Sequence, residues 1–161
     1  MPSLTIVMPS VREDNLEAIA SVNKQTVATN LIVVKDPKET GAGPTRNRGI
    51  KKVTTEWVGF LDDDDRLDVR YHRWLDMECE GWDVIVFQMK QDYLTLPGHT
   101  NSKLLAFNWV GISYALKTKI AKAYPFKNMI GEDYDLLKRL SEAKFKIKVV
   151  PWVAYYVRQS V

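Results

Sequence analysis

Four consecutive carboxylates, Asp62 to Asp65, directly follow the apolar run Val58-Gly59-Phe60-Leu61. So closely spaced, they repel one another strongly at short range. A hard, oxygen-seeking cation such as Mg²⁺ or Mn²⁺ would remove that repulsion; a solvated acidic turn is the competing reading. An EF-hand fails on spacing. Counted from Asp62, Leu67 stands at the glycine position and Arg73 at the bidentate glutamate position. A second acidic pair, Glu132-Asp133, follows Gly131. Such carboxylates suit a helix's first turn through the dipole. The functional reading makes one of them the general base for a substrate hydroxyl. The stretch Gly41 to Gly49 carries Arg46 and Arg48 behind two glycines. It is neither a Walker A loop nor a GxGxxG fingerprint, since no Lys-Ser/Thr follows and Arg46 holds the third glycine place. Arg46 could grip a phosphate bidentately, or be a solvated arginine on a helix start. His72 reads as structural, His99 as a loop residue and a weak ligand candidate, and Cys79 as core. No Ser-His-Asp or Cys-His signature is present.

These residues need elements to hold them. Leu4 to Met8, Leu31 to Lys35, Trp57 to Leu61 and Asp83 to Gln88 read as strands. Between them, Asp14 to Gln25, Gly43 to Val53 and Asp68 to Glu80 read as helices. Asp14 is the expected cap of the first, whose apolar face carries Leu16, Ile19 and Ala20. Pro44 sits near the first position of the second, where its missing N–H is harmless. Gln91 to Phe107 reads as a long loop or irregular hairpin, with Pro97-Gly98 inside it. Val110 to Leu116 is strand-like and Glu132 to Ala143 helical. Ile147 to Val150 and Val153 to Val157 read as two terminal strands. Alternating strands and helices predict an α/β sheet with a largely parallel core. Ligands of such sheets bind beyond the strands' carboxyl ends. That is where Pro9, Ser10, Asp36 and the aspartate cluster fall.

Composition narrows the class. At 161 residues, with 45% hydrophobic and 27% charged, the chain has the profile of one soluble globular domain. Its single cysteine rules out an internal disulfide and favours a cytoplasmic protein. No run approaches the length of a membrane span, and no leader is expected. With 23 basic and 20 acidic residues interspersed, the net charge of +3 is too mild to indicate nucleic-acid binding. The basic run from Lys138 to Lys148 reads as a solvated face. An anionic acceptor or a membrane surface is its weaker alternative.

Taken in order, several segments resemble the family 2 glycosyltransferases of the GT-A fold. Thr5-Ile6-Val7-Met8-Pro9-Ser10 is similar to the family's first strand. Ala18 to Val22 with Gln25-Thr26 is similar to its first helix end. Ile32 to Asp36 matches the second strand, Thr45-Arg46-Asn47-Arg48-Gly49-Ile50 the Arg-Asn-x-Gly element, and Phe60 to Asp65 the DxD element. Gly131-Glu132-Asp133-Tyr134-Asp135-Leu136 with Arg139-Leu140 matches the acidic helix start, and Val150-Pro151 with Tyr155 to Arg158 the closing strands.

The resemblance implies one domain over residues 1–161, with a nucleotide-binding half (1–90) and an acceptor-side half (91–161). A mostly parallel mixed sheet flanked by helices would form its centre. It implies a nucleotide-diphosphate-sugar donor, UDP-glucose or UDP-galactose being the first expectation, and a glycan, lipid or protein hydroxyl as acceptor. Pro9 and Ser10 would line the nucleotide pocket, Asp36 would contact the base, and Arg46 the base or diphosphate. Asp62 and Asp63 would touch ribose or metal-bound water. Asp64 would bind Mn²⁺ or Mg²⁺ directly, with Asp62 beside it. Gly111 would lie in the floor under the donor sugar. Asp133 would be the base of an inverting transfer, with Glu132 binding the acceptor or substituting as base. Departures are visible. The chain ends soon after the last strand, which makes it an unusually short member. The Gly-Gly-Phe-Asp segment is replaced by Ala123 to Lys127, and no histidine follows Arg158 as a further metal ligand. A homodimer is left open. The competing functions are a degenerate nucleotide-sugar or glycan-binding module without turnover, and a nucleotidyltransferase. The second lacks its glycine-rich loop at Pro9 to Arg12.

Overall fold

A computed structural model of the protein describes residues 1–159. In chain order the elements are β1 (Leu4–Ser10), α1 (Leu16–Asn23), β2 (Asn30–Lys35), α2 (Ala42–Ile50), β3 (Trp57–Phe60), β4 (Arg66–Leu67), α3 (Tyr71–Glu78), β5 (Val84–Gln91), β6 (Leu94–Leu96), a 3₁₀ turn (Ser102–Leu104), β7 (Tyr114–Lys117), α4 (Thr118–Ala123), α5 (Glu132–Glu142) and β8 (Ile147–Tyr156). The strands form one mixed sheet in the order β2-β1-β3-β7-β5-β8-β4, with β6 paired to β5.

Strands β1, β2 and β3 are mutually parallel. The parallel core is interrupted by β7, which lies antiparallel between β3 and β5. Strand β8 then runs parallel to β5. The carboxyl ends of β1, β2, β3, β5 and β8 therefore meet at one edge, joined there by the start of β7. That edge carries the candidate site, as open α/β sheets require.

Sequence pattern explains most of these elements. The strands nearest the sheet centre, β1, β3, β5 and β7, are nearly all buried, because helices or loops cover both faces. Gly49 on α2 permits the close approach of this helix to the sheet. A Cβ there would overlap the Val7 side chain and lie 2.9 Å from Val34 Cγ2. Gly49→Ala is therefore expected to destabilise the fold by about 1–2 kcal/mol. Overpacking of that size outweighs alanine's better helix propensity. An unchanged urea midpoint for this variant would contradict the packing.

Several expectations are corrected by the packing. Asp14 does not cap α1. Asn15 is the cap residue, and its amide turns inward to donate to Ser10 Oγ at 3.3 Å. The buried face of α1 is Ala18, Ser21 and Val22, while Leu16 is exposed. Pro44 falls at the third helical position of α2, still within the turn whose N–H groups lack intrahelical partners. The two expected terminal strands are one, β8. Its register against β5 slips near Pro151, which has no N–H to donate. The loop after Gln91 contains the short hairpin partner β6, and a further short helix, α4, follows β7 directly. His72 is a buried structural residue between Thr29 Oγ1 (2.7 Å) and the Pro2 carbonyl (2.8 Å).

Candidate active site

The four aspartates leave β3 in a turn and diverge. Asp63 is buried and faces back toward β1, where one carboxylate oxygen accepts from Val11 N (2.9 Å) and Arg12 N (2.8 Å). Asp65 faces β8, accepting from Tyr155 Oη (2.8 Å) and Arg158 N (2.9 Å). Burial pushes its pKa up to about 6 despite these bonds. Asp62 and Asp64 remain turned to the open side. Asp64 pairs with the half-exposed Arg12, at 3.3 Å. The cluster therefore divides into two buried anchors and two partly exposed carboxylates, Asp64 beside Arg12 and Asp62 beside Arg46.

Among the described residues no three His, Cys, Asp or Glu side chains converge as a ready-made metal cage. Asp62 and Asp64 still fit a hard cation, each through the oxygen not paired with an arginine, because Mg²⁺ is commonly held by one or two carboxylates with substrate phosphates completing the shell. A cleft of about 310 Å³ lies beside them. Its walls include Pro9, Arg12, Asp36, Gly41, Asp62 and Asp64.

Asp36, at the end of β2, is buried and accepts from Thr40 N (2.9 Å), Thr40 Oγ1 (2.7 Å) and Gly41 N (3.2 Å). The Thr40 N–H contributes most to holding its pKa down to about 2. The folded-state pKa is depressed, so this stabilisation is full above the ordinary carboxylate value of 3.8 and is lost as pH falls toward 2. Asp36 thus shapes the cleft wall through its turn. Pro9 lines the cleft, whereas Ser10 does not. Its hydroxyl is buried and donates to the Arg12 carbonyl at 3.2 Å.

Arg46 differs most from expectation. Its side chain is almost wholly buried, with Nη1 on Glu132 Oε1 at 2.7 Å and Nη2 on Asp62 Oδ1 at 2.9 Å. The guanidinium lies 5.4 Å from the Phe126 ring centroid. Burial works against its charge, and Asp62 and Glu132 more than reverse that, raising its pKa. Both terminal nitrogens are engaged by carboxylates, so Arg46 is a bridge rather than a free phosphate ligand. It joins the aspartate turn after β3 to the acidic start of α5.

That start is built on Gly131, whose φ of 77° is left-handed. A Cβ there would also overlap the Phe107 ring, so glycine is required twice over. The next turn of chain places Asp133 beside Gly111, where an added Cβ would lie 4.0 Å from Asp133 Oδ2. Asp133 Oδ1 accepts from Tyr134 N at 2.7 Å, and Tyr114 Oη ties the Asp133 carbonyl to β7 at 2.9 Å. Burial is the first cause of a raised Asp133 pKa; the Tyr134 N–H opposes it and nearby Glu132 adds to it.

Supporting residues escaped the sequence. Asn47 donates to the Phe126 carbonyl (2.8 Å) and accepts from its N–H (2.9 Å), seating the ring beneath Arg46. The only hint was its place between two arginines. Tyr155 reaches Asp65 across 90 residues and had no local signal.

Comparison with known proteins follows this geometry. The sequence profile described as Glycosyl transferase family 2 matches residues 6–95. No curated protein sequence matches. Among solved structures, S. aureus TarS 1–349 in complex with UDP superposes with a TM-score of 0.75 at 17% identity, covering 98% of this chain and 61% of that one. The same protein with UDP-GlcNAc gives 0.74 at 16%, covering 99% and 59%. Glucosyl-3-phosphoglycerate synthase from Mycobacterium tuberculosis, with Mn²⁺, UDP and phosphoglyceric acid, gives 0.72 at 16%, covering 99% and 72%. The chain thus spans about 60% of the length of the TarS fragment. At these identities the likeness is one of fold.

Proposed function

The chain belongs to glycosyl transferase family 2 and has the GT-A fold, and from that membership we propose that it moves a hexose from a nucleotide-diphosphate sugar to an acceptor hydroxyl with inversion. UDP-glucose or UDP-galactose is the donor we favour. The observation that carries the reading is the Arg46 bridge. It holds the carboxylate turn at the open cleft and the acidic start of α5, with its half-buried Asp133, in one connected site. One continuous sheet supports reading residues 1–161 as one domain with a donor half and an acceptor half.

In this reading the nucleotide lies in the cleft between Pro9, the Asp36 turn and the aspartates. Asp64 and Asp62 would hold Mn²⁺ or Mg²⁺, which when bound supplies charge neutralisation for the departing diphosphate. The UDP relation of the structural neighbours, and the Mn²⁺ in the synthase, support the choice of donor and ion. Asp133 accepts the acceptor hydroxyl proton as that oxygen bonds to the anomeric carbon. The bond from this carbon to the diphosphate oxygen breaks, and its electron pair leaves with the nucleotide. Attack comes from the face opposite the leaving group, so the anomeric configuration inverts. Gly111 lets the Met89 thioether lie against the chain beside Asp133, since a Cβ there would come within 2.7 Å of Met89 Sδ.

Thermal unfolding tests the donor site. UDP with Mn²⁺, at about 100 times its dissociation constant, is expected to stabilise the protein by about 2.7 kcal/mol. EDTA should abolish most of that gain, and Asp64→Asn should do the same at unchanged metal. GDP and CDP should give smaller shifts. A protein that ignores all three nucleotides, or binds UDP equally in EDTA, would sink the metal-donor reading. Donor hydrolysis then separates an enzyme from a module that binds without turnover.

A further inference from the structure

Two loops frame the mouth beside Asp133. One runs from Asn101 through the 3₁₀ turn to Gly111; the other runs from Tyr124 to Gly131. They meet where Phe107 packs against Gly131. Between them they expose Leu104, Phe107, Trp109, Met129 and Ile130, with Trp109 at 61% and Ile130 at 89% of full exposure. Exposed apolar side chains gathered on two loops that meet in this way mark an interaction surface.

We propose that this patch docks on an anionic lipid bilayer and presents a membrane-held hydroxyl acceptor to Asp133. The acceptor part of this inference rests on Asp133 being the base; the docking surface does not.

Charge selects the occupant. From Tyr93 to Gly131 the chain contains no Asp or Glu. The loops instead expose Lys103 and Lys127 among the apolar side chains. Lys138 of α5 adds to them, sharing a small cavity with Lys103, Tyr134 and Leu105, where Glu142 is the opposing charge. Exposed Trp, Phe, Leu and Ile with lysines, and no carboxylate within either loop, is the composition of an interfacial membrane surface. The apolar side chains enter the headgroup boundary and the ammonium groups meet anionic lipid. Among the described residues no helix is long and apolar enough to cross a membrane. A second copy of the chain fits this face poorly. A two-fold contact sets a patch against itself, and would bring lysines onto lysines with no loop carboxylate to pair them. A glycan alone would use one aromatic face, and leaves Ile130 and Met129 without a role.

The test is co-sedimentation of the full chain with vesicles of phosphatidylcholine, alone or mixed with phosphatidylglycerol. The protein is expected to pellet with the mixed vesicles, less with neutral ones, and less again at high salt. Trp109→Ser with Ile130→Ser, and separately Lys103→Glu with Lys127→Glu, should each lower partition roughly tenfold. The UDP-dependent thermal shift reads folding and the donor site in the same samples. It should persist in both variants, and its absence from the parent protein would sink the donor reading alone. Failure to pellet with either vesicle, equal pelleting with both, or unchanged pelleting of the serine variant overturns the proposal. A dimer in solution that the serine variant abolishes, without vesicle binding, also overturns it and gives the face to a second copy.

Discussion

Asp133→Asn is expected to lower sugar transfer about 10²- to 10⁴-fold, the usual contribution of a general base, while leaving UDP binding unchanged. The substitution is gentle on the fold. An asparagine oxygen can keep the 2.7 Å bond from Tyr134 N. Only one first-turn charge is lost, worth about 0.3–1 kcal/mol at a helix start. What disappears is the oxygen that can take a proton. Glu132 does not replace it, because its Oε1 is held by Arg46 at 2.7 Å. Burial raises the Asp133 pKa above its ordinary 3.8, and a base must be ionised to act. The rate should therefore fall as pH drops through that raised value, placing the acid limb above where an exposed aspartate would put it. Asp133→Asn should erase this limb from the residual activity. A variant that turns over at the parent rate, or keeps the same acid limb, would remove Asp133 from the role of base.

Arg46→Met is expected to be the most destabilising single change in the site, by about 3 kcal/mol. Removing one partner of a buried ion pair strands the other charge. Here two carboxylates are stranded, and the part of the effect on Asp62 is softened because its side chain is 38% exposed. Arg46→Lys should lose less, since an ammonium keeps the charge but cannot span both carboxylates in the fixed fork geometry. Adding Asp62→Asn to Arg46→Met should recover part of the loss, as expected for residues in one network. Urea denaturation reads all three. Equal midpoints for the parent and Arg46→Met would show that the bridge holds nothing together. The same variant should also impair transfer, because it unlinks the aspartate turn from α5.

The sequence was sufficient for the parts of this protein that are written locally. Apolar runs ending in Pro9, Asp36 and Asp62 marked the first three strands and the edge where their ends gather. Gly49 and Gly131 were visible as motif glycines, although their purpose was not. The first is small so that α2 can lie on Val7 and Val34; the second is left-handed so that α5 can begin against Phe107. Four aspartates in a row announced a charge problem. Their order along the chain was enough to connect them with an acidic pair about 70 residues later, through a family resemblance.

The sequence could not say which aspartate faces which way. Asp63 is bound by the backbone of Val11 and Arg12 just after β1 and Asp65 by Tyr155 and Arg158, and both sets of partners are distant in the chain. Only the pairing of β4 with β8 and of β1 with β3 brings them within hydrogen-bond reach. The partners of Arg46 depend on distant segments in the same way. A guanidinium behind two glycines reads as a phosphate grip until the fold buries it between Asp62 and Glu132. The reversal of β7 inside a parallel sheet also left no local trace, because strand direction is a property of connections and not of side-chain alternation. Residue type and spacing determined which groups are available for chemistry. Tertiary structure decided which of them are spent on one another, since burial and pairing are settled by contacts between segments far apart in the chain.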